Sequence, residues 1–298
     1  MARTRHPFEA AIEAIIRLSG YSAIIFVALI SLFLLREGLP AFGEVPLASL
    51  FGARWYPIEG FYALGPLIWG SLVVTVGAAL FAVPLGVAAA MFIAEVAPRW
   101  LREILKPLVE ILAGLPSVVL GFLGVVVLVP AIRESLGLPT GLTALTGSLL
   151  LAGMALPTIV SVAEDALDAV PSAYKIGSLA LGASRWQTLW RVTLPAARTG
   201  VLTAIMLGIG RAIGETMAVM MVTGNAPVVL LGPQALVAPV RTMTATVAAE
   251  MGEVARGSVH YHVLFTVGLV LFAISFVVNV LASMVLLKRR AASGRMLS

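Results

Sequence analysis

Two charged residues stand where charge is least expected. Arg211 and Glu215 lie in GIGRAIGETMAVMM, inside a long apolar run. Arg211 falls about eleven residues into that run, which at 1.5 Å per residue puts it roughly 16 Å deep, near the middle of a bilayer core. Glu215 is spaced one turn further on the same helix face. Charge at that depth must face protein or water and find a partner. Two roles fit. The pair can orient helices by bonding to each other, or it can border a path for an anion, which a guanidinium meets through two parallel N–H donors. Thr216 and Asn225 could add polar contacts to such a path. So could Ser117, beside the kinking Pro116 in AGLPSVVLGF, because a broken helix can line a pathway.

Other chemistry is poorly supported. Glu164, Asp165 and Asp168 form an acidic group, but Asp165 and Asp168 read as the start of a helix, where negative charge is simply favourable. The chain has no cysteine, hence no thiolate and no disulfide. Its three histidines, His6, His260 and His262, are too few and too peripheral for a metal centre. No G-x-x-x-x-G-K-[ST] run is present, so P-loop ATP hydrolysis is not expected of this chain. A membrane-embedded enzyme would need a nucleophile and base at one depth, and none is apparent.

The elements that must hold these residues are membrane spans. Of 298 residues, 60% are hydrophobic and only 12% charged, half the charge of an ordinary soluble domain. Six apolar runs are long enough to cross a bilayer, near 20–36, 64–94, 108–132, 142–162, 199–223 and 262–287. The fold class is all-α integral membrane. Residues 1–19 read as an N-terminal segment whose apolar spacing suits a short helix lying at the membrane surface. Residues 20–63 hold the first span and a Pro-, Gly- and aromatic-rich loop, residues 64–287 the core, and residues 288–298 a basic tail. A helix is predicted near 242–255. With the N-terminus inside, fourteen of the twenty Lys and Arg residues fall on the inner side. That places both termini and residues 164–198 in the cytoplasm. The net charge of +5 is thus a topology signal, and no nucleic-acid partner is implied.

Residues 164–198 are a polar, basic island between the fourth and fifth runs. Ser184 stands three residues before Gln187, the spacing of a capping box, so a short helix is expected to start at Arg185. Pro195 is expected to end it. Helix, glycine turn, short helix and stop make a knob suited to a soluble partner.

Gly182, nine residues, then Val192-Thr193-Leu194-Pro195 resembles the cytoplasmic motif of permease subunits in ABC importers. The Glu-Ala-Ala positions of that motif are Ile176-Gly177-Ser178 here, a departure from the pattern. The wider context, including ILAGLPSVVLGFLG and GIGRAIGETMAVMMVTGNAP, is similar to the membrane subunits of phosphate importers, PstC-type more than PstA-type, over roughly residues 20–290. The resemblance implies a type I importer permease fold with a cytoplasmic coupling helix after Gly182. Ala183, Ser184, Arg185 and Trp186 would sit at its start, against an ATPase. It implies a PstA-type second permease, a PstB-type ATPase dimer that uses ATP and Mg²⁺, and a PstS-type periplasmic phosphate-binding protein. It also implies a bacterial inner-membrane location, no cofactor on this chain, and a transport role for Arg211 and Glu215. A permease for molybdate or sulfate, a secondary transporter and a purely structural membrane subunit are the competing readings.

Overall fold

The computed structural model describes residues 7–227 and 229–294. Arg3, Arg5, His6 and Arg295, used above in the charge count and the metal argument, lie outside them. Among the described residues, six helices are long and apolar enough to cross a membrane. The first, α1 (Pro7–Gly38), is one continuous helix. Residues 7–19 are therefore continuous with the helix of the first span and form no separate helix. Short helices α2 (Ala41–Glu44) and α3 (Leu47–Leu50) follow, then a tiny hairpin of β1 (Trp55–Tyr56) and β2 (Phe61–Tyr62).

The second span is α4 (Gly65–Met91), which carries Pro84 inside it and ends in a π-helical turn at Phe92–Val96. Next comes α5 (Arg99–Ala113), none of whose residues is buried. The expected third span at 108–132 is divided. Backbone regularity stops at Gly114–Pro116 and resumes in α6 (Ser117–Leu123), a π turn and α7 (Val129–Leu136). Proline at 116 has no N–H to give and disfavours helix in the residue before it, so the break falls there.

The fourth span, α8 (Ala144–Asp168), is the axis of the bundle. Its N-cap Thr143 accepts from Thr146 N, and fifteen of its residues are buried, Pro157 among them. Close approach to α4 is possible because small residues meet there: Gly77 lies on Ser148 and Gly86 on Ile159. After α8 the chain forms α9 (Ser172–Ala180) and α10 (Arg185–Thr188), then a π turn at Leu189–Thr193 and α11 (Leu194–Gly214).

The fifth run is also divided. Gly214 ends α11, Glu215 is extended, and α12 (Met217–Val222) begins two residues later. Short α13 (Gln234–Val237) and α14 (Met243–Glu250) then fold back on the bundle, with Met243, Thr244, Ala245 and Thr246 buried. The helix expected at 242–255 stops at Glu250, and Glu253 lies beyond it. The sixth span belongs to α15 (Val259–Gly294).

The end opposite residues 164–198 is pinned by one carboxylate. Glu250 accepts from Trp55 Nε1 (3.1 Å), Arg241 Nη2 (2.6 Å) and His260 Nε2 (2.8 Å). These bonds join the β-hairpin, α14 and α15. Burial, and secondarily the Glu250 charge, raises the pKa of the neighbouring Tyr62 phenol. His262 Nδ1 bonds the Glu37 carbonyl at 2.8 Å and Thr266 Oγ1 donates to that of Gly38 at 2.8 Å, which ties α15 to α1. Both described histidines are thus occupied in joining helices.

Candidate functional site: two helix breaks and a capped hairpin

The breaks in the third and fifth runs adjoin. Arg211, in the last turn of α11, donates from Nη2 to the carbonyl of Ala113 (3.2 Å), the final residue of α5. From Nη1 it donates to Thr158 Oγ1 (3.3 Å) on α8. The carbonyls at a helix C-terminus carry partial negative charge, so a guanidinium is well placed there. Glu215 serves the other break. Its Oε1 accepts from the backbone N–H of Thr216 (3.2 Å) and of Ala218 (3.4 Å), at the start of α12. Thr244 Oγ1 donates to the Glu215 carbonyl (3.0 Å), so α14 closes over the same break.

The expected Arg211–Glu215 pair is therefore corrected. Among the described residues no ion pair joins them. The helix ends before Glu215, whose ψ of 133° turns it off the face that Arg211 occupies. Each charge meets a backbone end that the breaks expose. Beyond the breaks, α6 and α12 pack together. A Cβ on Gly121 would fall 2.9 Å from Ala218 Cα, so glycine is required for that approach.

Of the other expected residues, Thr216 is at the second break, its hydroxyl donating to Gly214 O at 3.3 Å. Ser117 opens α6 at the first break and is half-buried. Asn225 is elsewhere. It sits past the far end of α12 at φ 50°, with Nδ2 donating to Met220 O (2.8 Å) and Oδ1 buried without a partner. Thr158 and Thr244 were missed as members of this site. Thr158 follows Pro157 inside a long apolar run with no charge beside it, and Thr244 stands in a Thr-rich run, TMTAT, that carries no recognisable spacing.

The acidic group has a different place from the one its spacing suggested. Glu164, Asp165 and Asp168 lie at the C-terminal end of α8, where their charge opposes the helix dipole. Cations from α5 offset this. Arg102 bonds Glu164 (2.5 Å) and Asp168, and Lys106 bonds Glu164 (2.7 Å) and Asp165 (2.9 Å). Glu164 is 1% exposed. Its hydrogen bond, then that of Asp165, raises the Lys106 pKa against a smaller opposing effect of burial.

The hairpin after α8 is built almost wholly from local contacts. Gly182 has φ 86°, a left-handed conformation that side chains resist. Gly182 N donates to Leu179 O (3.0 Å) and Ala183 N to Ser178 O (3.2 Å), the paired bonds of a Schellman stop. Ser184 and Gln187 make both bonds of the capping box, at 3.2 and 2.8 Å. Ser178 Oγ and Thr188 Oγ1, 3.0 Å apart, cross-link the two helices, and Lys175 pairs with Glu95 at 2.6 Å.

Pro195 does not stop the second helix. It sits in the first turn of α11, where a missing N–H is tolerated, and the π turn just before it absorbs the change in register. Arg185–Gly214 is therefore a continuous 30-residue run. What the hairpin presents outward is large: Leu181 is 91% exposed and Trp186 63%. Beside them opens a cavity of about 480 Å³ lined by Glu95, Lys175, Arg185 and Trp186.

The bundle is similar to solved membrane transporters. It matches a chain of the MetNI methionine ABC transporter in an inward-facing conformation with a TM-score of 0.60, 19% identity, and coverage of 78% of this chain and 98% of that one. A chain of a bacterial ABC transporter that imports the acidic polysaccharide alginate gives 0.58, 17%, 94% and 99%. At that identity the likeness is one of fold, the type I importer permease. Sequence relatives come nearer. A Bacillus subtilis protein described as the probable ABC transporter permease protein YqgH is 42% identical, over 83% of this chain and 81% of the relative. The phosphate transport system permease protein PstC of Mesorhizobium japonicum is 34% identical over 96% and 92%, and that of Pasteurella multocida 30% over 97% and 95%. Residues 82–292, from the middle of the second span through the sixth, match the model for the binding-protein-dependent transport system inner membrane component, and the chain belongs to that family.

Proposed function

We propose that this chain is the permease subunit of an ATP-driven phosphate importer and forms half of its translocation pathway. One observation carries the role in transport. Two broken helices adjoin at a half-buried arginine that keeps donors to spare. A guanidinium has five N–H groups, and Arg211 uses one on Thr158 and one on Ala113. The remainder can meet an oxyanion bidentately. Glu215 is held to the backbone of α12 and, among the described residues, forms no ion pair with that arginine. The choice of phosphate over molybdate or sulfate rests on the extent of similarity to the PstC proteins, since the guanidinium does not discriminate among these anions.

A member of this family works as an inner-membrane component alongside a binding protein. We assign the partners as a PstA-type permease, a PstB-type ATPase dimer that binds ATP and Mg²⁺, and a PstS-type phosphate-binding protein. The hairpin is the coupling element, with Gly182, Ala183, Ser184, Arg185 and Trp186 against the ATPase. Its end faces the cytoplasm, in line with the excess of basic residues there. Because Trp186 leads by continuous helix to Arg211, closure of the ATPases would move the break as one body with the hairpin.

The test is uptake of labelled phosphate into vesicles holding the purified complex, with the binding protein outside and ATP inside. Phosphate uptake that needs ATP and resists molybdate and sulfate is expected. Uptake that runs on an ion gradient without ATP would replace this reading with a secondary transporter. In this cysteine-free chain, an Ala183→Cys variant should react with an impermeant thiol reagent from the cytoplasmic side only.

A further inference from the structure

We propose that α5 is a positioning strut for Arg211, clamped at its foot by Glu164 and presenting at its tip the carbonyl that, with the Thr158 hydroxyl, orients the guanidinium. This rests on the reading that Arg211 borders the anion path.

The geometry is that of two rails. On α5, Ala113 lies seven residues beyond Lys106, about 10 Å along a helix, and on α8 Thr158 lies six residues before Glu164, about 9 Å. Lys106 meets Glu164, and Ala113 and Thr158 meet at Arg211. The two helices therefore run antiparallel and in step, with a rung at each end. One rung is the charge clamp of Arg102 and Lys106 on Glu164, Asp165 and Asp168. The other is Arg211.

No residue of α5 is buried, so packing alone does not fix its tip. The clamp supplies what packing lacks. An arginine fork is planar, and bonds from Nη1 and Nη2 to two separate fixed acceptors set both its position and its plane. Thr158 and Ala113 O come from two different helices, so the orientation holds only while α5 and α8 keep their register. Thr158 does not touch the transported ion. It acts through Arg211.

The test uses the full complex in vesicles with the binding protein present, and reads phosphate moved per ATP hydrolysed. Thr158→Val keeps the shape and removes the acceptor. It should lower that ratio by about tenfold, the effect of losing one hydrogen bond to a charged group, while ATP hydrolysis continues. Thr158→Ser should restore it. Lys106→Met and Glu164→Gln should each lower the ratio in the same direction, by about threefold, because they loosen the strut and not the bond itself. A misfolded complex would lose uptake and hydrolysis together and would not be rescued by serine. Where Glu164→Gln does not assemble, Lys106→Met decides, since Arg102 still pairs Glu164. An unchanged ratio in Thr158→Val, beside an Arg211→Ala variant that does not transport, overturns the positioning role alone. Normal ratios in both clamp variants overturn the strut. Normal uptake in Arg211→Ala overturns the path reading beneath both.

Discussion

The hairpin at 172–193 and the paired breaks around Arg211 are held together in opposite ways. In the hairpin most bonds join residues three to five apart, in the Schellman stop at Gly182, the capping box at Ser184 and the π turn before Pro195, with Ser178–Thr188 and Lys175–Glu95 reaching further. At the breaks, Arg211 reaches Thr158 and Ala113, 53 and 98 positions away. The hairpin is therefore a preformed solid that meets the outside with exposed Leu181 and Trp186. The Arg211 contacts at the breaks exist only when α5, α8 and α11 are already in place. A transporter needs both kinds of part, one that carries force without deforming and one whose contacts change as helices shift.

If that contrast is right, the largest effect belongs to the turn itself. Gly182→Val should disable coupling and destabilise the hairpin by about 1–2 kcal/mol, the strain of a left-handed L-residue. The measurement is phosphate uptake alongside recovery of the ATPase on the purified permease. Full coupling with valine at 182 would show that the hairpin is not rigid in the way its turn implies.

The next effect separates the breaks from a simple ion pair. Glu215→Ala removes the carboxylate that accepts from the Thr216 and Ala218 N–H groups and should lower stability in detergent by about 1 kcal/mol. Combined with Arg211→Ala, the two losses should add to within about 0.5 kcal/mol, as for residues without shared partners. A larger coupling energy in that double-mutant cycle would mean the two charges meet after all.

Ser184→Ala should be milder for transport than Gly182→Val, with a loss of about 1 kcal/mol in helix stability. Circular dichroism of the variant hairpin within the intact chain is too coarse for this; amide exchange over residues 184–188 resolves it. Protection unchanged from wild type would deny the capping box any role.

The smallest expectation concerns pH. The Lys106 pKa is raised above 10.5 in the folded chain, so what it contributes is fully present below that value and is lost only as pH rises through the raised one. The difference in Tm between wild type and Lys106→Met should thus stay constant between about pH 6 and 9 as far as this lysine is concerned. It should shrink above 10.5. A difference that vanished near pH 8 would show the clamp to be weaker than its geometry indicates.

Residues alone were enough to reveal a membrane protein, six spans, the glycine turn and the capping box. Apolar length and i to i+3 spacing are written directly in the chain. The same local logic misled where a tertiary contact outweighs a local rule. Asp165 and Asp168 resemble a helix start, yet they end α8 because Arg102 and Lys106 on α5 offset the unfavourable dipole. Pro195 resembles a stop, yet a π turn lets the helix pass. Arg211 and Glu215 have pair spacing, yet the chain breaks between them because each finds a better partner in an exposed helix end.

Composition, span count and the hairpin's internal shape were thus determined by the sequence on its own, since the forces that set them act within a turn of helix. Which break faces which, and what Arg211 holds, was decided only by the assembled bundle. A guanidinium's partners depend on where separate helices come to rest, and no spacing along the chain encodes that distance.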